Sequence, residues 1–434
     1  MPFVYTPHPV IGLSPEALDK YICGNDPDTG KPVIEEIIDV LIGRAAGKKA
    51  ASGSSGPVKA STPQVLLGPD TEDNLQRLFY EKGWTDGLPV VLPTEERVKR
   101  MLAGTSASPD EVVAESFQFA TREVVRYNVE HFAVIAVMAG ARPEYFPVIL
   151  ATAATRQSSL MPSTTPFEAM LLVNGPIRNE IGMNCGIGAF SAVNMANSVI
   201  GRAWTLMSIC HGFARPRSTL WSSQGNNHTY NNMCAGENEE KSVWEPFHVG
   251  KGFRADESVV SVFRGWAFLN SYGAASKRSL LEELSIQLAA MPPINSSATI
   301  IMDPLVARNL KENMGYATRQ DFCRAISQGV KMPAGVYWKT DHIDMLVASE
   351  AYKGVEPYAS WKKLPDDELI APYHNPDNIN IIVVGGETSP LWKAADYAYS
   401  GSSSVDRWRA LPAGDECADG SCGLPDAVTD AGYD

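Results

Sequence analysis

The 434-residue sequence lacks long apolar runs, has little positive charge, and has no cysteine framework. Its longest uninterrupted apolar stretch, Phe132 to Ala141, falls well short of the ~20 residues that a membrane-spanning helix needs. Met1 is followed by Pro2, Phe3 and Val4 without a basic segment, so no signal peptide is expected and a cytoplasmic location is the default. Lys and Arg total 37 against 50 Asp and Glu, and the net charge of −13 comes with no dense basic run. That balance argues against nucleic acid or an anionic membrane as the main partner. The seven cysteines are odd in number and mostly far apart, which excludes a disulfide framework. Only Cys417 and Cys422 are close enough in sequence to suggest a redox or metal-binding pair. Gly-x-Ser-x-Gly elbows, P-loops, kinase signatures and the H-x-E or HExxH spacings of zinc sites are all missing.

The chain is long enough for two or three domains and a sizeable core. Its patterning predicts an α/β protein, with mixed or parallel sheets flanked by helices, an N-terminal helical arm and a long irregular loop. The expected organisation is a helical arm over 1–44 and a Gly/Ser/Ala/Lys-rich linker over 45–66. A main α/β domain over 67–270, a second over 271–412 and an acidic tail over 413–434 follow. Helices are expected where caps meet apolar periodicity. These starts are Ser14 with Pro15, Val33 onward, Asn74 onward, Thr94 with Glu95 and Glu96, Asn128 to Gly140, and Pro147 onward. Ser279 with Glu282 and Thr318 with Asp321 form capping boxes, Asp303-Pro304 opens another helix, and Ser389-Pro390 is expected to start one toward Tyr397. Buried strands are expected at Leu171–Val173, Ser258–Phe268, Ala298–Met302 and Ile379–Val384.

The most informative stretch runs from Met170 to Met207. A short apolar strand breaks at Asn174-Gly175-Pro176, passes through Gly182, Gly186 and Gly188, and resolves into a helix. Such strand–turn–helix units present backbone N–H groups to a ligand. A second unit of the same kind follows Ile379–Val384, through Gly385-Gly386-Glu387. Gly186-x-Gly188-x-x-Ser191 is an incomplete dinucleotide fingerprint, with no ribose-binding acid after it, so a small anionic or carbonyl-bearing ligand is the better reading. Asn174, Arg178, Asn184, Gly186 and Gly188 are the expected binding residues, with Arg178 able to clamp a carboxylate. Candidates for proton transfer are Asp86 in Trp84-Thr85-Asp86-Gly87, Glu237 and Glu239 in the acidic loop, and His248. Cys185, Cys417 and Cys422 are candidate nucleophiles or reductants. His131, on an apolar helix, is expected to be a core residue rather than a catalyst. Neither cofactor nor metal is named by any motif, and a homo-oligomer acting on a small-molecule substrate is expected.

Several motifs together resemble a family of uncharacterised bacterial proteins. They are Trp84-Thr85-Asp86-Gly87-Leu88-Pro89-Val90-Val91 with Pro93-Thr94-Glu95-Glu96-Arg97-Val98, and Arg142-Pro143-Glu144-Tyr145-Phe146-Pro147-Val148. Val137-Met138-Ala139-Gly140 just before Arg142, Val173-Asn174-Gly175-Pro176-Ile177-Arg178, Ile200-Gly201-Arg202-Ala203, and Glu237-Asn238-Glu239-Glu240 with Trp244-Glu245-Pro246 complete the set, which covers about Asp70 to Arg264. The family is associated with UGSC-type selenoproteins, named for a selenocysteine-Gly-Ser-Cys motif. Here Asp419-Gly420-Ser421-Cys422 carries Asp in the selenocysteine position, which removes the selenium. The resemblance implies an enzyme without defining its reaction. The sequence therefore leaves three functions open: a thiol-dependent oxidoreductase, a lyase or hydrolase using Glu/His acid–base chemistry, and a non-enzymatic ligand-binding or assembly protein.

Overall fold

A computed structural model describes residues 14–25, 30–41, 67–118, 123–161, 163–212, 214–216, 219–271 and 278–410. The expected linker and the tail with Cys417 and Cys422 lie outside the described residues. The first eight helices are α1 (Pro15–Cys23), α2 (Val33–Leu41), α3 (Glu72–Glu81), α4 (Glu95–Leu102), α5 (Val129–Ala139), α6 (Phe146–Ala154), the short α7 (Ile177–Glu180) and α8 (Met195–Cys210). Six more follow: α9 (Leu280–Ala289), α10 (Pro304–Glu312), α11 (Arg319–Gly329), α12 (Ala334–Trp338), α13 (Asp341–Tyr352) and α14 (Tyr358–Trp361). The strands begin with the hairpin β1 (Val112–Gln118) and β2 (Glu123–Asn128), then β3 (Glu168–Asn174), β4 (Ala235–Gly236), β5 (Val259–Gly265) and β6 (Phe268–Asn270). The remainder are β7 (Ala298–Met302), β8 (Met332–Pro333), β9 (Leu369–Ile370), β10 (Ile379–Val383), β11 (Trp392–Ala395) and β12 (Ala398–Ser404).

Two four-stranded mixed sheets form the centre, with strand orders β12-β5-β3-β4 and β10-β7-β11-β6. Period-two alternation assigns each strand face to a different core. On β3, Ala169, Leu171 and Val173 pack with α4, α5, α6 and α8, whereas Met170 and Leu172 face the other sheet. On β7, Ala298, Ile300 and Met302 pack with α9, α10 and α11, whereas Ile301 meets Met170, Leu172 and Phe263. On β10, Ile379, Ile381 and Val383 likewise face the helices while Ile382 turns inward. The result is four layers, helix, sheet, sheet and helix, which places both faces of each central strand in a core. That explains why β3, β7 and β10 read as continuous apolar runs rather than as alternating ones.

Among the described residues no strand belongs to both sheets, but the chain crosses between them twice, at 266–267 and at 396–397, close to and well beyond the domain boundary expected at residue 270. The chain leaves the first sheet after β5 and enters the second as β6, paired with β11; it returns from β11 to the first sheet as β12, paired with β5. The two crossings are joined by Asp396, whose Oδ1 accepts from the N–H groups of Trp266 at 2.8 Å and Ala267 at 3.0 Å. Gly265 is required at this corner, because a Cβ there would lie 3.0 Å from Tyr397 Cα and overlap the Tyr397 ring.

The capped helices form at the expected places. Ser279 with Glu282 and Thr318 with Asp321 make reciprocal capping boxes. His131 serves α5 in the same way, its Nδ1 close to Asn128 and its N–H donated to Asn128 Oδ1. One helix expectation is corrected. After Ser389-Pro390 the chain forms β11, not a helix, because Trp392–Ala395 fills the slot between β7 and β6. Its two ladders of hydrogen bonds outweigh the helix preference of Lys393-Ala394-Ala395.

Candidate functional site

The acidic loop and the end of β3 come together as expected, but they form a buried ionic network. Glu237 is fully buried. Its Oε2 accepts from Asn174 Nδ2 at 2.6 Å and Phe247 N at 2.7 Å; its Oε1 accepts from Arg319 Nη2 at 2.6 Å and Val383 N at 3.4 Å. It therefore joins β3 of one sheet to β10 and α11 of the other. Glu239 Oε1 accepts from Asn174 Nδ2 and Gly175 N, both at 2.8 Å. Arg178 is almost fully buried, and each of its three guanidinium nitrogens has an acceptor or an anionic partner. Nε reaches Gly175 O at 3.0 Å, Nη1 reaches Glu237 O at 2.7 Å and Glu240 Oε2 at 3.2 Å, and Nη2 reaches Glu240 Oε1 and Glu239 Oε2, each at 3.0 Å.

This arrangement gives several of the expected site residues partners within the protein. Arg178 is engaged by Glu239, Glu240 and two backbone carbonyls of this network. Glu237 and Glu239 have their oxygens occupied by partners that hold the sheets and turns together. Asp86 pairs bidentately with Arg202 of α8, at 2.8 and 3.0 Å, and accepts from Leu88 N within its own turn. His248 is fully buried, with Nε2 3.0 Å from Arg254 O. Cys185 is half-buried; burial pushes its thiol pKa up, and Arg178 at 3.9 Å offsets only part of that shift. Such a thiol is a weak nucleophile. The Glu240 carboxyl, by contrast, is held at about 2, chiefly by its hydrogen bonds from Arg178.

The two glycine turns meet. Gly385 N donates to Cys185 O at 3.0 Å, and Asn238 Nδ2 donates to Gly385 O at 2.8 Å. Between the turns, at the C-terminal ends of the parallel strands β7 and β10, lies a cleft of about 380 Å³. That size is within the roughly 300–1,000 Å³ of small-molecule sites, and open α/β sheets bind ligands at this edge. Gly186 and Gly188 line it as expected, opposite Gly386, Thr388 and Ser389. The N–H groups of Ile187, Gly188, Gly386, Thr388 and Ser389 donate to no acceptor among the described residues. Asn184 shapes the first turn rather than facing the cleft, donating to Asn194 Oδ1 and Ile187 O and accepting from Gly186 N. Asp303, the N-cap of α10, holds the second turn by accepting from Leu305 N at 2.9 Å and Glu387 N at 3.0 Å. Glu387 is further pinned by Lys241 and Arg308.

The ionisable group that sequence reasoning missed is Lys393. It lines the cleft from β11, donates to Asn270 Oδ1, and lies 5.3 Å from the centre of the Phe268 ring. Burial lowers its pKa. Reading this segment as a helix hid its position, and no motif marks it. Also missed is Glu168, buried at the start of β3, which accepts from His228 Nδ1 at 2.9 Å, Asn226 Nδ2 at 2.6 Å and the Tyr397 hydroxyl. The His228 ring packs on the same Phe268 ring, centroids 4.7 Å apart.

The close fit of the turns makes one substitution informative. A Cβ on Gly386 would overlap the Ile187 side chain and lie 2.6 Å from Ile187 N. Gly386→Ala is expected to cost about 1–3 kcal/mol and to spread the cleft, measurable as a lower urea midpoint with an unchanged slope. A loss below about 0.5 kcal/mol would show that the turns can separate freely.

Comparison with protein-family models, with characterised proteins and with solved structures finds no match. Among the described residues, no helix is long and apolar enough to cross a membrane, and no group of His, Cys, Asp and Glu is arranged to hold a metal ion.

Proposed function

We propose that the protein binds a small organic carboxylate or carbonyl compound in the cleft between the glycine turns and moves a proton on it. The observation that carries this reading is that five residues whose backbone N–H groups have no acceptor among the described residues line one cavity together with Lys393. The N–H groups suit anionic or carbonyl oxygens and would stabilise charge developing on them. A lysine whose pKa burial has lowered holds more free amine near neutrality. In this proposal its lone pair takes a proton from the carbon beside the carbonyl, and the electron pair left behind moves onto the oxygen facing the N–H groups. The lyase or hydrolase class is preferred to a thiol-dependent oxidoreductase, because no thiol lines the cleft among the described residues. A cytoplasmic, self-associating enzyme is part of the same proposal, and sedimentation velocity checks the association.

The test is to incubate the protein with a panel of small keto and hydroxy acids in D2O and to follow deuterium entry at the carbon beside the carbonyl or carboxylate by NMR. Exchange catalysed by the wild type should be lost in Lys393→Met and kept in Cys185→Ser. Ligand stabilisation without exchange would favour the non-enzymatic binding reading. Exchange that survives Lys393→Met would sink the assigned role of that amine.

A further inference from the structure

The lining of the glycine cleft is not polar throughout. Phe190, Ile301 and Val384 line it from the apolar core between the sheets. Two further aliphatic residues on the lining stay open to water: Ile187 is 69% exposed and Leu391 is 44% exposed. Both are held in place by the turns that make the cleft. The Ile187 side chain lies against Gly386, where the two turns meet. Leu391 N donates to Ser389 O at 2.8 Å, and Leu391 O accepts from Asp303 N at 3.0 Å. A single exposed aliphatic side chain needs no explanation. Two on the lining of one cavity, with Phe190 beside them, form a surface that an apolar group of a ligand can cover.

We propose that the compound taken by this cleft is a monocarboxylic 2-oxo acid with a bulky aliphatic substituent, and that Ile187, Leu391 and Phe190 select the substituent. This rests on the reading of the cleft as a site for a carboxylate or carbonyl compound, and adds to it the charge and the shape of the ligand. The charge follows from the lining. Among the described residues, Lys393 is its one basic side chain and Asp303 its one carboxylate. A single ligand carboxylate can share Lys393 with the backbone N–H groups of the turns. A second carboxylate, or a phosphate dianion, would be taken from water beside Asp303 with no cation of its own, and its lost hydration would go uncompensated. The shape follows from the exposed aliphatic surface. Each ligand methylene that Ile187, Leu391 or Phe190 covers strengthens binding by about three- to fourfold.

Calorimetric titration of the intact chain with pyruvate, 4-methyl-2-oxopentanoate and 2-oxoglutarate tests the proposal. The last two are close in size and differ in ending in an isopropyl group or a carboxylate. The 4-methyl-2-oxopentanoate should bind about tenfold or more tightly than either of the others. On the wild type alone, affinity should rise stepwise from pyruvate through 2-oxobutanoate to 2-oxopentanoate. Ile187→Ser and Leu391→Ser, both at exposed positions, should each cut the preference for 4-methyl-2-oxopentanoate over pyruvate by about threefold or more and leave pyruvate affinity unchanged. Equal binding of the three acids, tighter binding of 2-oxoglutarate, a flat homologous series, or variants that weaken pyruvate as much as the larger acid would each overturn the proposal. Deuterium exchange into pyruvate without any such preference would overturn it and leave the reading of the cleft intact. Selective binding of 4-methyl-2-oxopentanoate without exchange would uphold it and remove the proton transfer alone. Failure of every acid to bind would overturn both.

Discussion

Replacing Glu237 with alanine is expected to destabilise the protein by about 3–5 kcal/mol, the range seen when one member of a buried ion pair is removed. The carboxylate is fully buried and accepts from four donors contributed by both sheets, α11 and the 243–251 loop. Without it, the Arg319 guanidinium loses its one carboxylate partner among the described residues, and Asn174 Nδ2 and Phe247 N each lose an acceptor. Glu237→Gln should recover little of this, because both of its ends face donors and its amide nitrogen can only donate. Chemical denaturation of the two variants gives the measurement, and a loss below about 1 kcal/mol would show that the network is dispensable. In a double-mutant cycle, Glu237→Leu with Arg319→Met should cost less than the two single changes summed, since neither charge is then left unpaired. If the role of Glu237 were proton transfer rather than architecture, Glu237→Gln would spare stability and abolish turnover.

The corner at Asp396 is expected to make stability fall with rising pH. Burial, reinforced by the nearby Glu168 carboxylate, raises the Asp396 pKa from 3.8 to about 6, against the lowering effect of the Trp266 and Ala267 N–H groups. A carboxyl whose folded pKa exceeds its unfolded value binds its proton more tightly in the folded state. Its contribution is complete below about pH 4 and is lost as pH climbs through about 6. The shift corresponds to about 3 kcal/mol in all, of which roughly 1–1.5 kcal/mol is lost above pH 5. Stability measured at pH 5 and pH 8 for wild type and Asp396→Asn should show the difference between the two proteins changing by that amount, with the variant gaining at pH 8. A pH-independent difference would mean that Asp396 titrates normally. Because Asp396 joins both points where the chain changes sheets, the destabilisation should appear first as faster amide exchange at Trp266 and Ala267.

Local pattern was sufficient wherever the partners of a group lie within a few residues. Thr318 meets Asp321, Ser279 meets Glu282 and Thr94 meets Arg97 N, each three positions away, so those helix starts can be read from the sequence. The apolar runs at β3, β7 and β10 mark strands buried on both faces, and the glycines at 186, 188, 385 and 386 mark turns that bring backbone donors to a sheet edge. The tertiary structure alone decided which polar groups remain available to a ligand. Arg178 finds its acceptors some 60 residues away, at Glu237, Glu239 and Glu240. Glu237 finds Arg319 and Val383 still farther along the chain. A charged side chain in a glycine-rich loop looks equally suited to substrate or to architecture until the burial and position of its opposite charge are fixed. Lys393 is the converse case. Its sequence neighbours favour a helix, and only the open slot between β7 and β6 makes the segment a strand that brings Lys393 to the lining of the cleft. Hydrogen-bond saturation is a long-range property, because the partners that satisfy a buried charge in this protein lie far from it in sequence.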